Sequence, residues 1–400
     1  MRTLNSKTMK KLNRIIFGLL IIGIGTLAIG CTNQNINSIA DSKMEDIMQQ
    51  RKAVGLSVAV VKDGQIIYNE SFGFKSLEDS TLLENDHIFR IASISKSFTT
   101  TALMTLVEQD KLCLDTDVSE LVGFTVRNPQ YPQEVITVKM LLSHTSSIND
   151  SQGYFVLDVL NPDKNSDYEK CYNNYSPGSE YEYCNLGFNT IGAIIENISN
   201  ERFDDFVKRT VLDPLQLNAN FNVDSLDSDQ FVNLYAYTVE EGDSIKKFVH
   251  RPDAYLSRAE DISNNYILGY STPIFSPTGG MKISSTDLAK YMIMHMNYGY
   301  SPILQKRVIS EESAKKMQEP IAKMSEGNFY GLALRESKTL IPGETMIGHT
   351  GSAYGLYSAM FFEPTKGFGI IMITNGCDGE YEDGFLKIQR DVIRELYNVF

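Results

Sequence analysis

Between Gly55 and Phe72 apolar and polar positions alternate on both sides of a Lys62-Asp63-Gly64 step, reading GLSVAVV before it and QIIYNESF after it. Alternation of period two around Asp-Gly predicts an antiparallel hairpin with a tight turn. The pattern returns late in the chain. Residues 345–351, 355–362 and 367–374 read as three strands, the last two joined by a turn at Pro364-Thr365-Lys366-Gly367. Elsewhere apolar residues recur at helical spacing, predicting helices over 41–51, 95–109, 138–142, 186–198 and 203–211. A closing helix is expected over 381–400, where Phe385, Ile388, Val392, Ile393 and Leu396 share one face. Strands from both ends then build one antiparallel sheet flanked by terminal helices, an α/β (α+β) fold. The α/β body takes in 41–92 and 278–400, and an α-rich insertion spans 93–221. A cleft is expected where they meet. Residues 222–277 are polar, acidic in parts and without a clear period, and read as an extended loop region, with short strands, near that cleft.

Composition adds bounds. The chain has 400 residues, 42% of them hydrophobic and 22% charged, enough for one large domain or two smaller ones sharing a sheet. A net charge of −13 argues against a nucleic-acid partner, which needs a basic footprint. Arg2, Lys7, Lys10, Lys11 and Arg14 precede an uncharged apolar run from Ile15 to Ile29. That run is short for a membrane span and has the flanks of a secretory signal. It ends Leu27-Ala28-Ile29-Gly30-Cys31, which resembles a bacterial lipobox with the usual leucine displaced by one. The resemblance implies a signal peptide over 1–30, lipidation of Cys31, a polar tether over 31–40, and an exported, membrane-anchored lipoprotein of the bacterial cell envelope. The alternative is an uncleaved N-terminal anchor. Cys113, Cys171, Cys184 and Cys377 remain. Cys171 and Cys184 are close enough to pair, yet four cysteines in so long a chain make no disulfide framework, and small buried thiols are the plainer reading.

The candidate chemistry begins at Ser93-Ile94-Ser95-Lys96. A serine and a lysine three apart at a helix start share a face, and an amine whose pKa is lowered by burial can take the hydroxyl proton. Ser244…Lys247 and Ser313…Lys316 have the same spacing. Only the first is followed in order by Tyr183-Cys184-Asn185 and His349-Thr350-Gly351. Tyr172-Asn173-Asn174 is a decoy for the tyrosine element; Pro177-Gly178 before Tyr183 and the apolar helix after Asn185 favour Tyr183.

With these motifs the chain resembles the serine β-lactamase and penicillin-binding-protein superfamily, nearest to the branch of class C β-lactamases, D,D-carboxypeptidases and family VIII esterases. FRIASISKSFTTTAL, LLSHTSSI (141–148), PGSEYEYCNLGFNTIG (177–192), SPTGGMKISSTDLAKY (276–291) and the His349 tripeptide carry the likeness, which covers about 45–395. It implies a β-lactamase/transpeptidase-like fold over 41–400, with Ser93 as nucleophile and Lys96 and Tyr183 as proton-handling groups. It further implies that Asn185, His349, Thr350 and Gly351 bind substrate and that the backbone N–H groups of Ser93 and Ser352 form an oxyanion hole. Tyr183 could serve near neutrality only with its pKa lowered, for which Lys96 is the obvious cation. Two departures stand out. Ser147 takes a place where the loop more often has glycine, and His349 one where many β-lactamases have lysine, giving less fixed positive charge. His144 reads as structural, and His87, His250 and His295 as isolated.

No metal is expected, because the five histidines and the cysteines show no ligand spacing. No cofactor is expected either. Gly-x-Ser-x-Gly is absent. The expected activity is hydrolysis of an amide or ester carbonyl in a small-molecule or peptide substrate through an acyl-Ser93 intermediate. The alternatives are an acyltransferase with an alcohol or amine acceptor, or a non-enzymatic penicillin-binding or sensor protein.

Overall fold

The computed structural model describes residues 35–240 and 244–400. The signal segment expected over 1–30 and Cys31 lie outside them. Nine strands make the main sheet: β1 Gly55–Lys62, β2 Gln65–Ser76, β3 Thr81–Leu82, β4 Ala322–Ser325, β5 Asn328–Tyr330, β6 Arg335–Ser337, β7 Met346–Ala353, β8 Leu356–Glu363 and β9 Phe368–Thr374. Their spatial order is β4-β5-β6-β7-β8-β9-β1-β2-β3, antiparallel throughout. The expected hairpin and three late strands are present. Asp63 and Gly64 both take positive φ, 51° and 75°, as a tight hairpin turn requires.

Both faces of the central strands are covered. Leu56, Val58 and Val60 of β1 and Ile370 and Met372 of β9 pack under two helices, α1 (ending at residue 51) and a helix from Lys387 to Val399. Ala59, Val61, Ile371 and Ile373 face the larger core shared with the helical lobe. That lobe is built on α2 (Ser95–Glu108) and α3 (Asn185–Ser199), with α4 (Ser285–Met296) between α2 and the sheet. Helix α2 is buried on every side from Ser95 to Leu106. Its polar residues survive burial because Thr100 and Thr101 donate back to the carbonyls of Lys96 and Ser97, and Thr99 donates to the Pro277 carbonyl at 2.8 Å.

Several boundaries differ from expectation, each for a local reason. Helix α1 takes in residues 35–40, assigned above to a tether. Ala40, Met44 and Ile47 fall on one helical face and are buried, so packing extends the helix back into the polar stretch. The closing helix begins at Lys387 rather than 381, because Asp383-Gly384, at φ 50° and 77°, turns Tyr381–Glu382 back onto Phe385–Leu386. The helix from Phe203 ends at Val207 and continues as one π-helical turn, Lys208–Leu212. The 222–277 region holds a small hairpin (Tyr235–Thr238 with Lys247–His250), a short helix Ala259–Asn265 and 3-10 turns. Cys171 and Cys184 are buried free thiols. No helix among the described residues is long and apolar enough to cross a membrane.

Candidate active site

A cleft of about 620 Å³ opens between the sheet edge and the helical lobe. Ser93 stands at its floor, in a 3-10 turn (Ala92–Ile94) that runs directly into α2. The turn is tightly drawn. Ala92 has φ 51°, the left-handed region that non-glycine residues seldom occupy. The Ser95 hydroxyl donates to the Ala92 carbonyl at 2.5 Å and accepts from the Met281 N–H at 2.9 Å, and the Ser358 hydroxyl donates to the Ile91 carbonyl at 2.9 Å. The serine is thus clamped from both sides, by the segment after Gly280 and by β8.

Lys96 is fully buried one helical turn on. Its amine donates to the Thr278 carbonyl at 2.9 Å, to Asn185 Oδ1 at 3.0 Å and to Ser93 Oγ at 3.3 Å. Burial strips the ammonium of water and lowers its pKa from 10.5 to about 7, against the raising influence of Asp150 and Cys184. A substantial neutral fraction therefore exists near neutrality.

Tyr183 departs from expectation in its electrostatics. Its hydroxyl is shielded from solvent, faces Ser93, and has no close, well-aligned hydrogen bond. Burial pushes the phenol pKa up, not down. Lys96 does not counter this, because its amine lies over the ring face, 4.6 Å from the centre, rather than beside the oxygen. Tyr183 is a neutral phenol here, able to donate a proton or pass one on rather than to act as a phenolate.

Asn185 opens α3. Its Oδ1 accepts from Lys96 and from Thr278 Oγ1 at 2.7 Å, which leaves its Nδ2 to donate to Asp150 Oδ2 at 2.8 Å. On β7, Gly351 is required by close approach. A Cβ there would lie 2.3 Å from the Ile91 carbonyl oxygen and 2.4 Å from Ser358 Oγ. This contact brings Ser352 alongside Ser93, and both line the cleft with Thr350. Strand β6 pairs with β7 only over Met346–Gly348, so from His349 onward that edge of β7 has no strand partner among the described residues.

His349 is buried and neutral, its pKa lowered to about 3 by burial and by the Lys96 charge. Its Nδ1 faces the Thr350 carbonyl at 2.5 Å and its Nε2 the Tyr330 hydroxyl at 2.9 Å. The carbonyl can only accept, so Nδ1 carries the proton and Nε2 accepts from Tyr330. His144 accepts the Cys184 N–H at Nδ1, 3.1 Å, and packs its ring on Tyr183 and Tyr330, supporting the site from behind. Ser147, in the glycine-like position, does adopt positive φ, 63°, and accepts from Asn128 Nδ2 at 3.0 Å.

The structure therefore gathers Ser93, Lys96, Tyr183, Asn185, His349, Thr350, Gly351 and Ser352 at one place. The decoy Tyr172 and both rival serines lie elsewhere, Ser244 on an exposed bend and Ser313 in the helix Glu311–Gln318. Sequence reasoning missed Asp150, Tyr330 and Arg335. Asp150 follows the LLSHTSSI loop by two residues, its only sequence signal; the other two had none. Arg90 and Arg335 flank the cleft, buried, bonded to carbonyl or amide oxygens and ion-paired to no carboxylate among the described residues. Glu84, Asp86 and His87 bring three potential metal-ligand atoms together, but none of these residues lines the cleft.

Fold and site together define a protein of the β-lactamase and penicillin-binding type. The chain belongs to the Beta-lactamase family, whose model matches residues 40–391, a family of serine hydrolases. It is 23% identical over 371 residues to "Protein flp" of Staphylococcus aureus (strain MRSA252), covering 88% of this chain and 64% of that protein, so it spans less than two thirds of that relative. It superimposes on the octameric penicillin-binding protein homologue from Pyrococcus abyssi with a TM-score of 0.71 at 26% identity, over 90% of this chain and 77% of the other. A second solved structure, EstCE1, a hydrolase with promiscuous acyltransferase activity, matches with a TM-score of 0.69 at 20% identity, over 90% and 99%.

Proposed function

We propose that the chain is an exported serine hydrolase that cleaves an amide or ester through an acyl-Ser93 intermediate. The observation that carries this is a buried lysine amine, part-neutral at pH 7, hydrogen-bonded to the hydroxyl of a serine on a cleft floor. In the first half-reaction neutral Lys96 takes the Ser93 proton as Oγ attacks the carbonyl carbon. The N–H groups of Ser93 and Ser352 hold the oxyanion. Collapse breaks the bond to the leaving group, which takes the proton that Lys96 received, while the neutral Tyr183 hydroxyl, turned toward Ser93, donates a hydrogen bond to it. Water then repeats the sequence on the acyl-enzyme and restores Ser93. Asn185 and Thr350 orient the substrate chain, and Arg90 and Arg335, ion-paired to no carboxylate among the described residues, favour substrates bearing a carboxylate. Cys31 would hold the enzyme at the membrane.

The test is mass spectrometry of the protein mixed with p-nitrophenyl esters, D-Ala-D-Ala peptides and penicillin. An adduct on Ser93 together with released product is expected, and Ser93→Ala should abolish both. Full turnover by Ser93→Ala would sink the proposal. A second reading, acyl transfer to an alcohol or amine, is favoured by the activity named for EstCE1. Product analysis with competing alcohols separates the two, since ester products form only by transfer. A stable adduct with no turnover would point to the sensor reading instead.

A further inference from the structure

We infer that Asp150 is the positioning residue of this site: it fixes Asn185 against Lys96 and supplies the negative charge that sets how readily Lys96 gives up its proton. This rests on the reading of Lys96 as the group that deprotonates Ser93.

Asp150 lies far in sequence from every catalytic motif, yet its carboxylate is wrapped around the start of α3. Oδ2 accepts the Asn185 backbone N–H at 3.0 Å and its side-chain Nδ2 at 2.8 Å. Oδ1 accepts the Leu186 N–H at 2.9 Å and the Cys184 thiol at 3.3 Å. A helix start needs acceptors for its free N–H groups, and one residue could supply that anywhere along the chain. What a cap alone does not require is the bond to the Asn185 side chain. With Nδ2 held by a carboxylate, Oδ1 must point the other way, and there it meets Lys96 at 3.0 Å. Carboxylate, amide and amine thus form one line of hydrogen bonds ending at Ser93.

The electrostatics follow the same line. Apart from Asp150, the groups facing Lys96 are the Cys184 thiol, the Tyr183 ring and two histidines that burial keeps neutral, His144 and His349. Those facing Asp150 are Lys96, Cys184, Cys171, Tyr154 and Tyr183. Burial raises the thiol and phenol pKa values, so all four stay neutral at pH 7. Asp150 is therefore the carboxylate that opposes the burial of the ammonium. Without it the amine would lose its proton at lower pH, and Asn185 would be held only at its Oδ1, by Lys96 and Thr278 Oγ1, with its Nδ2 unanchored.

Opposite effects on the two kinetic readouts follow. In Asp150→Asn the negative charge is gone, so the acid limb of kcat/KM should move down by about 0.5–1 pH unit. Turnover should fall about 10- to 100-fold as Asn185 loses its anchor. Asp150→Glu keeps the charge on a longer stem, so turnover should fall while the limb stays in place. Asp150→Ser serves as a second neutral variant. The experiment measures p-nitrophenyl ester hydrolysis and Ser93 acylation from pH 5 to 9 for all four proteins, with thermal unfolding to certify folding. If the parent protein is not acylated on Ser93, the functional reading itself falls. If it is acylated, but a folded neutral variant keeps the parent limb, or neither neutral variant folds, Asp150 is only structural and the inference is overturned.

Discussion

The Lys96 amine lies over the face of the Tyr183 ring, 4.6 Å from its centre, while the Tyr183 hydroxyl turns toward Ser93. The two groups therefore approach Ser93 from different directions, and only the amine is within hydrogen-bond distance of its hydroxyl. Removing the hydroxyl alone should leave the ring–amine contact and the packing on His144 intact. Tyr183→Phe is expected to keep its melting temperature within about 2 °C, since the oxygen has no strong partner to lose. Acylation should slow by about 10²–10⁴-fold, the usual range for one proton-transfer group. Stopped-flow acylation with unfolding curves in parallel checks both.

Lys96 gives a stability prediction of unusual sign. An unfolded lysine keeps its proton up to about pH 10.5, whereas the folded one releases it near 7. Between those values the unfolded chain binds more protons, so the stability of the parent protein should rise with pH across that window. Lys96→Met removes the burial penalty. It should melt higher than the parent at pH 7, with the difference shrinking towards pH 10, and should lack activity at every pH. A lower melting temperature for Lys96→Met at pH 7 would contradict this.

Gly351→Ala tests the clamp between β7 and the Ser93 turn. The added methyl meets the Ile91 carbonyl oxygen and Ser358 Oγ well inside contact distance. A destabilisation of about 1–3 kcal/mol in urea unfolding is expected. Acylation should slow at the same time, because the methyl pushes Ser352 away from Ser93.

Three buried histidines make the fold acid-sensitive. His295 and His349 are lowered to about 3 from 6.5, and His144 is lowered well below 6.5, chiefly by burial. Each is neutral when folded but binds a proton when unfolded below about 6.5, so stability is present above that value and drains away as pH falls from about 6.5 towards 3. Melting temperatures measured at steps across that range should decline steadily. His295→Gln, away from the cleft, should flatten the decline without touching activity at pH 7.

Much of this was legible in the chain. Asp63-Gly64 announced the first hairpin because only residues tolerant of positive φ close so tight a turn. Ser93, Lys96, Tyr183 and Asn185 could be picked out as candidates because their motifs combine fixed residue types, spacing and order, and they do meet at one cleft. Three things were hidden. Strands β4 to β6 are three or four residues long, below the length at which alternation is visible, and exist because β7 offers them an edge. Asp150 carries no local mark beyond its place two residues after the LLSHTSSI loop, since its meaning comes from a helix start 35 residues away. The state of Tyr183 depends on what surrounds its oxygen, which spacing does not encode.

The pairing of β1 with β9 has a further consequence. The strand that begins the described sheet hydrogen-bonds, from Leu56 to Lys62, with one of the last to be made. A chain still emerging from a ribosome holds β1 with one edge bare until Phe368–Thr374 arrives, and β8 and Ser358, which grip the Ser93 turn, come scarcely earlier. The Ser93 turn and helix α2 are synthesised long before the strands that close the cleft around them. Activity should therefore switch on late and all at once, when the end of the chain docks. A nascent or truncated copy would be inert rather than weakly active, and prone to sticking by its open β1 edge.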